Sequence, residues 1–197
     1  MSREKNKIIN QVGAIIERHQ QMADELKSGG IEKIIKISQE IVKSIRKGGC
    51  VYICGNGGSA ADAQHIASEL VGRFEKNRKP LPAVALTTDT SLITSVANDY
   101  GYENIFTRQV EAMVKKGDIL WAISTSGSSA NVIAAAKAAK KKKAFVIGFT
   151  GRTASQLEKI SDICLCAEDR LTARSQEIHQ LAYHIICSIV EKEFTVK

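Results

Sequence analysis

His65 and Glu69 are the pair best spaced for chemistry in this sequence. Four residues apart on a helix, they share one face, where a ring nitrogen and a carboxylate can bind a common metal ion or work as acid and base. A plain surface contact between turns uses the same spacing. A second polar group lies near the end of the chain: Gln176, Glu177, His179 and His184. Gln176 and His184 are about 80° apart around an ideal helix and roughly 12 Å along it. Both meet one ion only if it lies beside the intervening turn. Glu177 and His184, seven positions apart, are more nearly aligned, so periodicity alone selects neither pair. Glu177 and His179 also suit exposed or intersubunit positions.

Two further segments are suited to anions. Gly55-Asn56-Gly57-Gly58-Ser59 follows the apolar run Val51–Cys54 and precedes a helix-like stretch from about Ala60. Glycines between a strand and a helix let backbone N–H groups converge on an anion at the positive helix end. Ser124-Thr125-Ser126-Gly127-Ser128-Ser129 has the same placement and is rich in hydroxyls, with no lysine of the P-loop type. That suits a sugar phosphate better than a nucleoside triphosphate, although an ordinary helix cap needs only one such hydroxyl. Residues 55–60 also satisfy G-x-G-x-x-[GA], the dinucleotide fingerprint. The acidic residue expected to end the second strand of that motif is missing, since Thr87-Thr88 stand there and Asp89 comes later.

The elements that must carry these residues follow from apolar periodicity. Ile8, Ile9, Val12, Ile15, Ile16, Met22 and Leu26 mark one amphipathic helix over residues 3–27, ended by Gly29-Gly30. A second helix spans residues 31–46, with Ile34, Ile35, Ile37, Ile41 and Val42 on its buried side and Gly48-Gly49 after it. Residues 1–48 thus read as a helical extension used in oligomer packing. Short β-prone runs follow at 51–54, 83–86, 119–123, 144–149 and 163–166, separated by helical connections. This pattern predicts a three-layer α/β sandwich, a five-stranded parallel sheet flanked by helices, within one domain over 1–197. The glycine loop, residues 87–91, the serine loop and Thr150-Gly151 then fall at one sheet edge, where such folds bind ligands. Residues 73–82, with both prolines, read as a surface connection, and 171–194 as a long last helix.

With 197 residues and 44% apolar side chains, the chain can bury a sizeable core. Five cysteines, Cys50, Cys54, Cys164, Cys166 and Cys187, are odd in number and lie mostly in apolar runs, which favours free thiols. A charged start and no long apolar run predict a cytoplasmic protein with no membrane partner. The net charge of +7 suits an anionic small molecule, and Lys137, Lys140, Lys141, Lys142 and Lys143 gather at a helix end where cations meet the dipole. No nucleic-acid partner is expected from it.

The motifs Cys54-Gly55-Asn56-Gly57-Gly58-Ser59, Asp62-Ala63-Gln64-His65, Glu69-Leu70-Val71-Gly72-Arg73, Ala97-Asn98-Asp99-Tyr100-Gly101, Ile123-Ser124-Thr125-Ser126-Gly127 and Ala173-Arg174-Ser175-Gln176-Glu177-Ile178-His179 together resemble the sugar isomerase (SIS) family. Within it the resemblance is to the phosphoheptose isomerases, and it spans nearly the whole chain. It implies a flavodoxin-like SIS sandwich, a homotetramer with active sites at subunit interfaces, and conversion of D-sedoheptulose 7-phosphate to D-glycero-D-manno-heptose 7-phosphate through an enediol. By the same resemblance, His65, Glu69, Gln176 and His184 hold zinc, one ion per subunit, and Glu69 and His184 transfer protons. Asn56, Gly57 and Gly58 line the substrate pocket, Asn98 and Asp99 contact the sugar together with Glu69 and Gln176, and Ser124, Thr125, Ser126 and Ser129 hold the phosphate. Ser128 and Ala173 depart from residues common in the family. The competing reading is a non-catalytic SIS regulator that binds the replication initiator, a scaffold that has no need of His184.

Overall fold

The computed structural model describes residues 3–195. Two helices, α1 (Arg3–Gly29) and α2 (Ile31–Arg46), precede β1 (Val51–Cys54), α3 (Gly58–Val71), β2 (Ala83–Ala85) and α4 (Thr90–Tyr100). A 3-10 turn at Tyr102–Asn104 leads to α5 (Thr107–Met113), β3 (Ile119–Ser124), α6 (Ala130–Lys141) and β4 (Phe145–Thr150). The chain ends with α7 (Gln156–Ile160), β5 (Ile163–Cys166) and α8 (Thr172–Phe194).

All strand pairs are parallel, in the order β2-β1-β3-β4-β5. The apolar strands are covered on both faces, as parallel sheets require. Ile119, Trp121 and Ile123 of β3 enter a core shared with Ile37 and Ile41 of α2, Ile66 and Leu70 of α3, and Ile186 and Val190 of α8. The alternate residues Leu120 and Ala122 enter the opposite core, with Val96 of α4, Val110 of α5 and Val132 and Ala136 of α6. β2 and β3, on either side of β1, create a reversal of winding between β1 and β3. The crevice at their C-terminal ends is therefore the natural ligand site.

Some boundaries differ from the periodicity. β2 stops at Ala85, although the Leu86 amide still donates to the Ile53 carbonyl at 2.9 Å. β4 sits one residue later than its apolar run. Ile35 is 45% exposed, not buried with its neighbours on α2. On α1 only Met22 is buried, while Ile8, Ile9, Val12, Ile15 and Ile16 are 41 to 56% exposed.

Residues 73–82 do form a connection, but one anchored from inside. The buried Glu191 carboxylate of α8 accepts the backbone N–H groups of Phe74, Glu75 and Lys76 at 2.7–2.8 Å. Arg78 faces Glu191 at 3.3 Å and donates to the carbonyls of Glu69 and Leu70 at 2.7 and 2.8 Å. Burial opposes the charge on Glu191, but the three amides and Arg78 outweigh it and hold the carboxyl below its usual range. Among the described residues, no helix is long and apolar enough to cross a membrane.

Candidate functional site

α3 begins where two glycines permit it. Gly57, the residue before the helix, has φ of +55°, a conformation that side chains disfavour. At Gly58 a Cβ would collide with the amide of Gln176, so the glycine lets α8 approach the start of α3. From this start the helix carries His65 and Glu69 inward, and α8 brings His184 to meet them. One ligand atom from each of the three residues lies within 4.8 Å of the other two. His65 Nε2 and Glu69 Oε1 are 3.1 Å apart.

His184 packs among rings, with centroids 5.0 Å from His65, 4.7 Å from Tyr183 and 5.7 Å from Phe74. Burial lowers its pKa and the neighbouring His65 lowers it further, against the opposing pull of Glu69. At neutral pH this imidazole is therefore uncharged, with a lone pair available for a proton or a cation. Behind His65, the Tyr183 hydroxyl lies 2.9 Å from Nδ1 and 3.4 Å from Asp62 Oδ1. Burial raises the Asp62 carboxyl to about 6, and Oδ2 is buried without a hydrogen-bond partner. Two imidazoles and a carboxylate so close together, with a further carboxylate behind, suit a divalent ion such as zinc.

The two loops are joined directly. Asn56 Nδ2 donates to Asn131 Oδ1 at 2.9 Å, and Asn131 Nδ2 returns a bond to Asn56 Oδ1 at 2.8 Å. The Tyr102 hydroxyl also donates to Asn56 Oδ1, at 3.1 Å. Asn131 is the second residue of α6, so this pair ties the glycine loop to the helix launched by the serine loop. In that loop Ser124 Oγ lies 2.9 Å from Ser129 Oγ and 3.3 Å from Ser126 Oγ, and Ser128 Oγ donates to Ser126 Oγ at 3.2 Å. The Thr125 carbonyl accepts the Gly151 amide at 2.9 Å, which fixes the loop against the end of β4. Hydroxyls thus converge at the positive end of a 12-residue helix.

Asn98 and Asp99 stand exposed in the last turn of α4 and bond each other, Asn98 Nδ2 to Asp99 Oδ1, at 2.8 Å. Asp89 caps α4 by accepting the Leu92 amide at 2.9 Å, which gives it a structural task in place of binding a ribose. His179 is fully buried and donates Nε2–H to the Thr150 carbonyl at 3.1 Å. Glu177 pairs with His19 of α1 at 3.0 Å and with Arg174. All five cysteines are free.

Sequence reasoning missed Asn131, Tyr102, Phe74 and Tyr183 as parts of this region. The spacing of Asp62 to His65, three residues on one helix face, was the only signal for any member of the supporting network.

Residues 14–151 match the SIS domain family. The chain is 52% identical over 159 residues to the phosphoheptose isomerase of Roseiflexus sp. (strain RS-1), covering 81% of each chain. The solved phosphoheptose isomerase of Neisseria gonorrhoeae superposes with a TM-score of 0.89 at 38% identity, over 94% of this chain and 99% of that one. That of Francisella tularensis gives 0.90 at 36% identity, over 93% and 98%. By the family match, the identity to these relatives and the shared fold, this chain belongs to the SIS domain family and, within it, to the phosphoheptose isomerases.

Proposed function

We propose that the chain, as one SIS domain with residues 1–48 as an oligomer-packing extension, converts D-sedoheptulose 7-phosphate to D-glycero-D-manno-heptose 7-phosphate. This is aldose–ketose isomerisation, the first step of nucleotide-activated heptose biosynthesis. The observation that carries the reading is the convergence of His65, Glu69 and His184 on a helix that starts at the glycine loop, itself locked to the serine loop by Asn56 and Asn131.

Ser124, Thr125, Ser126 and Ser129 hold the phosphate through hydroxyls and the first amides of α6. Asn56, Gly57 and Gly58 line the sugar, Gln176 closes over Gly58, and Asn98 and Asp99 bind sugar hydroxyls. With the substrate so placed, Glu69 removes a proton from C1 of the ketose while O2 takes one, giving the enediol. Return of a proton to C2 and loss of the O1 proton give the aldose. His184, held neutral, is the partner that exchanges protons with the oxygens.

His65, Glu69, Gln176 and His184 would hold zinc, which when bound there polarises the substrate oxygens. The exposed stripe of α1, with Ile31 and Ile35 of α2, suits burial in a homotetramer with interfacial sites. The free thiols suit the reducing cytoplasm. Turnover of sedoheptulose 7-phosphate, followed by NMR before chelation, after it and after zinc is restored, tests the reading. Loss and recovery of conversion are expected. No conversion by zinc-replete protein overturns the reaction, and conversion unaffected by complete chelation overturns the metal's part in it.

A further inference from the structure

We propose that Tyr183 and Asp62 are positioning residues for His65: they form a hydrogen-bond chain that accepts the imidazole proton at Nδ1 when Nε2 ligates a divalent metal ion. The inference rests on the metal reading of His65, Glu69 and His184 and assigns the residues that make His65 a competent ligand.

The geometry has two sides. Nε2 of His65 faces Glu69 Oε1 at 3.1 Å, and Nδ1 faces the Tyr183 hydroxyl at 2.9 Å. Beyond that hydroxyl, Asp62 Oδ1 stands at 3.4 Å. Tyr183 is 1% exposed, and its ring packs edge-on against both His65 and His184 at 5.4 and 4.7 Å, so the hydroxyl has a fixed direction.

The proton inventory of the three side chains sets what the hydrogen-bond chain does. A tyrosine has one O–H, and a neutral imidazole has one N–H. With no cation, Nε2–H donates to Glu69, and the one tyrosine O–H is divided between His65 Nδ1, at 2.9 Å, and Asp62 Oδ1, at 3.4 Å. When a cation takes the Nε2 lone pair and the Glu69 carboxylate, the ring proton must reside on Nδ1. It then donates to the Tyr183 oxygen, and the hydroxyl turns its own proton to Asp62. Every link now has one donor and one acceptor, and the chain ends on a carboxylate, the arrangement that orients a ligand ring and raises its basicity. Asp62 has a buried Oδ2 without a partner and lies three residues before His65 on the same helix face. Its Oδ1 is the acceptor that the metal-bound tautomer leaves as the sole partner of the tyrosine proton.

The test uses the full chain and its Tyr183→Phe and Asp62→Asn variants, with zinc as the probe. Zinc dissociation constants come from competition with a chromophoric chelator, and thermal unfolding is recorded on the metal-free proteins. Each substitution is expected to weaken zinc binding by about 10- to 100-fold, the double variant to be no weaker than the worse single one, and metal-free unfolding to stay where it was. Phenylalanine keeps the ring, so a packing role predicts unchanged affinity, and that result overturns the chain while the metal site stands. Wild-type protein that binds no zinc overturns the metal reading and the chain with it. ¹⁵N NMR of zinc-loaded wild type gives an answer independent of how the variants fold: a proton on His65 Nδ1 is expected, and zinc on Nδ1 overturns the proposal.

Discussion

Residue chemistry here is set by what burial does to each histidine. His184 and His179 lie five positions apart on α8, yet the first borders the crevice and the second lies wholly within the core. Burial depresses His179 to about 4, with the Thr150 carbonyl opposing only in part. In the unfolded chain the ring titrates near 6.5, so as pH falls from 6.5 towards 4 the unfolded state takes a proton that the folded state refuses. Stability is therefore full above that window and declines through it, by about 3 kcal/mol at the bottom. Denaturant unfolding at fixed protein concentration, from pH 7 down to 4, should show this decline in the wild type and a shallower one in His179→Gln. The pair His65 and Glu69 was legible because four residues on a helix is a contact by construction. Tyr183 was not: it lies 121 positions from Asp62 and meets it only through the packing of α8 on α3.

The elements that hold the site are α3 and α8, and their alignment depends on the buried Glu191–Arg78 pair. Arg78 binds the carbonyls of Glu69 and Leu70 near the end of α3, and Glu191 binds the amides that place Phe74 against His184. Glu191→Ala leaves the arginine charged and buried at 1% side-chain exposure. Breaking such a pair from one side costs about 3–5 kcal/mol, so the variant should unfold at much lower denaturant and lose activity with no change at any residue of the site. Periodicity located α1, α2, α8 and all five strands, because buried parallel strands and amphipathic helices write their periods plainly. It could not see the anchor under residues 73–82, since a glutamate late in an amphipathic helix reads as a solvated charge. Nor did it place α7, whose five residues are too few to show a period.

At the scale of the molecule, the sheet's reversal between β1 and β3 gathers the glycine and serine loops at one edge, and the leading helices present a stripe of isoleucine and valine outward. The common edge could be read from five short strands and the loops that follow them. The tie between the loops could not, because Asn131 carries no mark in the sequence of its meeting with Asn56. The roles of individual donors followed from the SIS resemblance more than from spacing, as the undecided Gln176, Glu177 and His184 show. The proposed reaction moves a proton between two carbons of a heptose phosphate through Glu69. It is tested most directly by following sedoheptulose 7-phosphate by NMR with zinc-replete wild type and with Glu69→Gln of the same oligomeric size. Conversion to the manno-heptose phosphate by the wild type, reduced by about 10²- to 10⁴-fold in the variant, is the predicted result. A glutamine variant that converts the sugar at the wild-type rate would contradict it.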